Sequence, residues 1–307
     1  MALPAILRLW IVYILKSSGY GENGSIADPR KDLWGTGEGN FPRLPDHFAR
    51  LSLQIQAKII KYKVMFVVNN AHDRIFKHII SDRENAISLL KNLLPDRIQK
   101  HLSLEEIYYE KETFVSKHLQ EYFSDLLTSV PVIGSEQETN IYFLFEHKST
   151  GEAKTPLQML RYILEIWDKY DKITQETGYK LPIIIPVLIT HAKGGWGSRK
   201  LIDLVDLPSE DFRPYIPEFD FVLFDSVRED PESYDFARSL QALLLIWKHF
   251  YSPEFIQGLQ RAFQIMKQAY PDLKLRDFLE PIMSYLYSVR DEDEYIDIYK
   301  VAEEEFS

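Results

Sequence analysis

One stretch constrains this chain more than any other: Asn140-Ile-Tyr-Phe-Leu-Phe-Glu146-His147-Lys148-Ser149. It is rich in β-branched and aromatic residues and reads plainly as a strand. Side chains alternate between the two faces of a strand. Tyr142, Leu144, Glu146 and Lys148 therefore share one face, and Ile141, Phe143, Phe145 and His147 share the other. A carboxylate and an ammonium thus stand together on one side, at the end of an apolar strand.

The surrounding pattern predicts a mixed α/β fold. Residues 73–80 place Ile75, Phe76, Ile79 and Ile80 at helical spacing. Ser81-Asp82-Arg83-Glu84 matches a capping box and opens a helix to about Leu94, ended by Pro95. Residues 108–115 and 122–130 read as strands, and Pro131, Gly134 and polar neighbours separate the second from 141–147 as a hairpin loop should. Thr155-Pro156 starts a helix, with Thr as cap and Pro at its first position. It runs to about Ile173, with Leu160, Ile163, Leu164 and Trp167 on its apolar face. Residues 181–190 are almost wholly apolar and contain two prolines, which fits a buried strand with an edge or bulge. Another strand follows at 219–224, then a long amphipathic helix at 233–251, then further helices from Pro253. This order predicts a mixed central sheet flanked by helices, not a clean βαβ alternation. No glycine-rich loop joins a strand to a helix, so Rossmann and P-loop readings lose their main support.

Four segments are expected: an appendage at 1–64, a main domain at 65–252, a helical extension at 253–290 and an acidic tail at 291–307. The apolar run 2–15 is too short to span a bilayer and lacks the basic flank and cleavage site of a secretory signal. Residues 19–45 are studded with Gly and Pro and read as a flexible connector. Met65 stands just before the first strong motif, so 1–64 is read either as an appendage or as the product of a start codon placed too far upstream. The 307 residues hold no cysteine, which excludes disulfides, Cys-ligated zinc, iron–sulfur clusters and thiol nucleophiles. That fits a reducing cytoplasm. Of the net charge of −10, residues 1–64 contribute +4 and 290–307 contribute −6, leaving −8 on 65–289. An acidic main domain counts against a non-specific nucleic-acid binder, whose affinity comes from phosphate neutralisation. A homo-oligomer that juxtaposes basic loops would offset this.

The chemistry centres on Glu146 and Lys148. If the strand at 122–130 is the hairpin partner, it brings Asp125 near Glu146. Two carboxylates and a strand-end carbonyl suit a hard cation, and Mg2+ typically takes one or two protein carboxylates and keeps several waters. Such a metal polarises a phosphoryl oxygen and acidifies bound water. Lys148 could orient that water or stabilise developing negative charge. The plain alternative is a solvated strand end with a weak ion pair, worth about 0–1 kcal/mol.

Five motifs, in order, carry a family resemblance: His72-Asp73-Arg74-Ile75-Phe76-Lys77, Tyr122-Phe123-Ser124-Asp125-Leu126-Leu127, Phe145-Glu146-His147-Lys148-Ser149, Pro156-Leu157-Gln158-Met159-Leu160-Arg161-Tyr162 and Leu181-Pro182-Ile183-Ile184-Ile185-Pro186-Val187. Over about 70–250 the chain resembles the Rpn family of recombination-promoting nucleases and YhgA-like transposases, within the PD-(D/E)XK nuclease superfamily. The resemblance implies a restriction-endonuclease-like fold and metal-dependent endonucleolytic cleavage of DNA, with Mg2+ or Mn2+ as cofactor. It implies Asp125 and Glu146 as metal ligands, Lys148 as catalytic lysine, and Gln158 projecting into the site from the following helix. Ser124 replaces the proline of the superfamily's "PD". Lys148 agrees with the superfamily pattern better than the Gln found in many relatives.

Other residues carry two readings each. Glu84 is an additional acid or part of the capping box. His72 and Asp73 cap the opening helix or ligate metal. His147 points away from Glu146 and is read as packing or hydrogen-bonding. Tyr162 lines the site or belongs to the core. His191-Ala-Lys193-Gly-Gly-Trp196-Gly-Ser-Arg199-Lys200 is a basic, glycine-rich loop: a DNA-contacting surface or an ordinary exposed loop. Against the nuclease stands a catalytically silent binding or assembly module on the same fold, with Phe255, Leu259 and Phe263 as an apolar stripe for a partner helix or for the chain's own core. An integrase-like transposase finds no third acid or matching strand order.

Overall fold

The computed structural model describes residues 71–110, 126–134, 140–174, 180–197, 200–269 and 272–306. The readings of 1–64, of Asp125 and of Arg199 lie outside the described residues. Two compact units divide the chain, one of them spanning His72–Ala269.

Helices α1 (Ala71–Ile80), α2 (Arg83–Leu93) and the short α3 (Asp96–Gln99) lead into the sheet. The strands are β1 (Tyr108–Tyr109), β2 (Leu126–Pro131), β3 (Asn140–Lys148), β4 (Ile184–Thr190) and β5 (Val222–Asp225). They form one sheet in chain order, antiparallel from β1 to β3 and parallel from β3 to β5. Helix α4 (Thr155–Thr174) makes the crossover from β3 to β4. Helices α5 (Arg238–Lys248) and α6 (Phe255–Ala269) follow β5 and complete this unit. The mixed central sheet flanked by helices is the architecture that the order of elements predicts.

Several local details differ from the expectation. The cap of α2 is Asp82, whose Oδ1 accepts the Glu84 N–H at 2.8 Å, while the Ser81 hydroxyl turns back to the Lys77 carbonyl. Asp82 sits in extended backbone, where its short side chain reaches the second amide of the helix. Strand β4 starts at Ile184, three residues later than expected, and lies inside the sheet with Pro186 opposite Leu144. Helix α4 buries Met159, Tyr162, Ile163 and Ile166, while Leu164 is 51% exposed. Arg238–Lys248 is shorter than the expected helix because Pro231–Ser233 forms a separate 3-10 turn and Tyr234–Ala237 runs extended into it. Residues 240–247 are buried all round, as in a core helix rather than an amphipathic one.

The two faces of β3 do different work. Tyr142 and Leu144 pack with Leu127, Ile184 and, from α4, Tyr162, Ile163 and Ile166. On the opposite face His147 meets Phe76 of α1 and stacks on Trp247 of α5, with ring centroids 4.3 Å apart. His191, just past β4, stacks on the same Trp247 at 4.7 Å, and His72 closes over it at 4.7 Å. Helix α6 packs on α5 and buries Phe255, Leu259 and Phe263, so that stripe belongs to the chain's own core and is not open to a partner helix.

The loop after β4 turns on glycines. Gly194, Gly195 and Gly197 have φ of 84°, 79° and 74°, which side chains with a Cβ rarely adopt. At Gly195 a Cβ would also meet Arg228 Nε and sit 2.7 Å from Asp225 Oδ2.

In the other unit, α7 (Asp272–Val289) and α8 (Tyr295–Phe306) pack through Tyr287 and Tyr295, whose hydroxyl donates to the Tyr287 carbonyl at 2.5 Å. The acidic segment 291–307 thus carries a helix that buries Ile298, Val301 and Phe306. No helix among the described residues is long and apolar enough to cross a membrane.

Two predictions follow from the core. Burial lowers the His72 pKa from 6.5 to about 4 and holds that of His191 well below 6.5. Unfolded chains take up these protons near pH 6.5, whereas the fold refuses them until lower pH. Stability is therefore complete above about pH 6.5 and falls by about 1.4 kcal/mol per pH unit per histidine as the pH drops towards 4. Urea unfolding at pH 7.5 and 5 should show the midpoint falling; equal midpoints would contradict the neutral assignment. Gly195→Ala should destabilise by more than Gly194→Ala, because Gly194 faces open space and incurs only the left-handed backbone cost of about 1–2 kcal/mol. Paired thermal melts check the order.

Candidate functional site

The site forms where β3 ends. Glu146 lies opposite Leu188 and Lys148 opposite Thr190 in the parallel ladder with β4. Glu146 is only 3% exposed. Lys148 Nζ stands 2.8 Å from Glu146 Oε1, so the expected juxtaposition of acid and cation is present. A buried carboxylate is costly unless charge and hydrogen bonds compensate it. One oxygen is compensated in this way. The other, Oε2, is buried with no hydrogen-bond partner among the described residues. Its lone pairs suit a cation or a donor entering from outside. The Lys148 backbone is clamped as well: its carbonyl accepts from the Thr190 hydroxyl at 2.8 Å and from the His191 N–H at 3.2 Å.

The antiparallel ladder fixes which side β2 faces. Leu127 lies opposite Leu144 and packs with it, so alternate β2 residues share the Glu146 face. The last described rung pairs Leu126 with Phe145, one residue short of Asp125. Gln158 is on α4, beside Met159, which packs on Leu188, the ladder neighbour of Glu146. Its side-chain amide donates to the Tyr162 hydroxyl. Tyr162 itself is core, 4% exposed among Tyr142 and Leu144. The structure thus brings Glu146 and Lys148 into contact and engages Gln158 with Tyr162.

Among the described residues, no group of three or more His, Asp or Glu side chains gathers to hold a metal. That excludes an all-protein cage built from the described residues alone. Mg2+ asks for less, one or two carboxylates and waters. The uncompensated oxygen of Glu146 fits such a demand.

Behind the strand, His147 is neither a ligand of this site nor simple packing. Its Nδ1 is 3.0 Å from Asp73 Oδ1 and its Nε2 is 3.0 Å from His191 Nδ1. Asp73 is thereby committed to His147, 74 residues away. Glu84 is exposed in the first turn of α2, where its N–H takes the Asp82 cap. Trp196, the aromatic of the basic loop, is 1% exposed and packs on Met159 and Leu188, so it offers no stacking surface to DNA. Lys193 and Lys200 remain exposed on that loop.

Sequence reasoning missed Asp225. Buried at the end of β5, it accepts the Trp196 N–H at 2.6 Å and the Val227 N–H at 3.2 Å and so pins the glycine loop beside the site. Its signal was faint: one acid directly after the apolar run 221–224.

Comparisons with known proteins meet this geometry. A family model described as "Putative transposase, YhgA-like" matches residues 70–275. The inactive recombination-promoting nuclease-like protein RpnE of Escherichia coli strain K12 is 26% identical over 226 residues, 73% of this chain and 72% of that protein. Recombination-promoting nuclease RpnD of Escherichia coli O157:H7 is 26% identical over 126 residues, 41% of this chain and 47% of its own. Recombination-promoting nuclease RpnA of strain K12 is 31% identical over 122 residues, 39% of each. The matches thus span less than half the length of the two relatives named as nucleases. No solved structure matches the chain. With the family model covering the whole of the unit that carries the sheet, the chain belongs to the YhgA-like transposase family, that of the Rpn recombination-promoting nucleases.

Proposed function

We propose that this protein is a metal-dependent DNA endonuclease of the PD-(D/E)XK type on a restriction-endonuclease-like fold, acting in the cytoplasm in recombination or transposition. The observation that carries the reading is the buried Glu146, with one oxygen on Lys148 and the other uncompensated among the described residues. The second carboxylate in this reading is Asp125, which the family resemblance assigns to the metal. These two carboxylates would hold Mg2+, or Mn2+ in its place. Bound there, the ion would supply a polarised phosphoryl oxygen and a more acidic water. Glu146 binds and orients. Lys148, held by Glu146 at 2.8 Å, places a positive charge where the pentavalent phosphorane gathers negative charge. Gln158 joins the site by leaving Tyr162 when substrate arrives. The exposed Lys193 and Lys200 of the glycine loop meet the DNA backbone. Pairing of two copies would concentrate those lysines and offset the acidic domain.

A second reading has its own support. One relative covering most of this chain is named as inactive. On that reading the same fold binds or assembles without cleaving, and the Glu146–Lys148 pair is only structural.

Plasmid nicking separates them. With Mg2+ or Mn2+, wild-type protein should nick supercoiled DNA, and Lys148→Ala should lose about 10²–10³-fold in rate. Asp125→Ala and Glu146→Gln should lose metal dependence and activity together. Glu146→Gln is the cleaner of the site variants, since truncating Lys148 leaves a buried charge unpaired at a cost of about 3–5 kcal/mol. Equal cleavage by all four proteins would place the activity elsewhere. Folded wild type that binds DNA and leaves it intact would transfer the assignment to the binding module.

A further inference from the structure

We propose that Asp73, His147 and His191 form a directional hydrogen-bond relay that locks the end of β3 and so sets the angle at which Glu146 and Lys148 face their substrate; this rests on the nuclease reading of that strand end. All three are positioning residues, since none touches the reacting groups.

Geometry assigns the direction. The Asp73 carboxylate only accepts, so the His147 Nδ1 facing it at 3.0 Å carries the hydrogen. A neutral imidazole has one donor and one acceptor, so His147 Nε2 accepts from His191 Nδ1–H at 3.0 Å. The last nitrogen, His191 Nε2, is then a bare lone pair, and it is buried without a hydrogen-bond partner among the described residues. Both rings stack on Trp247, and no acceptor faces His191 Nε2 among the described residues, so a hydrogen there would be stranded and the chain runs one way, from His191 to Asp73.

The relay acts on the backbone that carries the site. His147 sits between Glu146 and Lys148, and its side chain points to the opposite face. The ladder to β4 runs to Lys148, so β4 holds the end of β3 laterally while the His147 ring holds it from the opposite face. His191 contributes twice, through its ring to His147 and through its N–H to the Lys148 carbonyl. Fixing a ring by hydrogen bonds at both nitrogens leaves it no rotational freedom, and rotation about the strand is the motion that would swing Glu146 away.

The test begins with long-range 1H–15N spectra of the full chain labelled at histidine. His147 and His191 should both appear protonated at Nδ1 alone, whereas free histidine favours Nε2–H. An Nε2–H tautomer on either ring overturns the relay without any variant. The second readout is the 13C resonance of the Glu146 carboxylate. It should move in Asp73→Leu and return in Asp73→Asn, whose side-chain carbonyl still accepts. His191→Phe, which keeps the aromatic stack, should move it too and serves if Asp73→Leu does not fold. An unmoved resonance in a folded variant overturns the positioning role. In the cleavage assay Asp73→Leu should lower kcat by about 10–100-fold at unchanged KM for DNA, with recovery in Asp73→Asn. Expected spectra together with an inactive wild type would support the relay and overturn the nuclease reading alone.

Discussion

Burying one carboxylate sets the terms for the rest of this molecule. Glu146 stands 3% exposed directly after the apolar run 141–145 of β3. An ionised carboxylate in that position demands a charge and a full set of partners. Lys148 supplies the charge to one oxygen, and the second oxygen is uncompensated among the described residues. A protein that needed only stability would gain by replacing such a pair with well-packed apolar groups. The position of the pair thus follows from something other than stability alone.

The sheet is arranged to hold that acid in place. The parallel run β3–β4–β5 brings three strand ends to one edge: Glu146 and Lys148 on β3, His191 just past β4 and Asp225 closing β5. Ligands of open α/β sheets gather at the carboxyl ends of such strands. Asp225 pins the glycine loop, and the histidines pin the back of β3. Buried polar groups thus flank the buried acid, each with hydrogen bonds that restrain it. These networks are high-stakes in a low-dielectric interior, because a partner lost there is not replaced by water.

Most elements were legible in the sequence because they are local. The strand at 140–148 announced itself by alternation, and the Thr155-Pro156 start of α4 by its chemistry. The Glu146–Lys148 contact was legible for the same reason, since two residues apart on a strand means one face. Errors arose where neighbours compete or where cover comes from afar. Asp82 took the cap that Ser81 could have taken, because its backbone is extended there and the Ser81 hydroxyl is engaged by the Lys77 carbonyl. Leu164 reads as apolar-face but lies exposed, and Met159 and Ile166 are buried, because the sheet covers the arc of α4 centred on Met159, Tyr162, Ile163 and Ile166. Trp196 belongs to a loop read as exposed, yet it is buried where Asp225 takes its backbone N–H.

By itself the sequence determined the mixed α/β order, the two faces of β3 and the pairing of an acid with a lysine, since each follows from periodicity and short spacing. Only the tertiary structure decided that His147 belongs with Asp73 and His191, that Gln158 meets Tyr162 in a core helix, and that one Glu146 oxygen is left uncompensated among the described residues. The physical reason is separation along the chain. Hydrogen bonds between residues 73, 147 and 191 are made by the packing of α1 and α5 on one sheet face, and no local rule encodes which distant side chain will fill a given place.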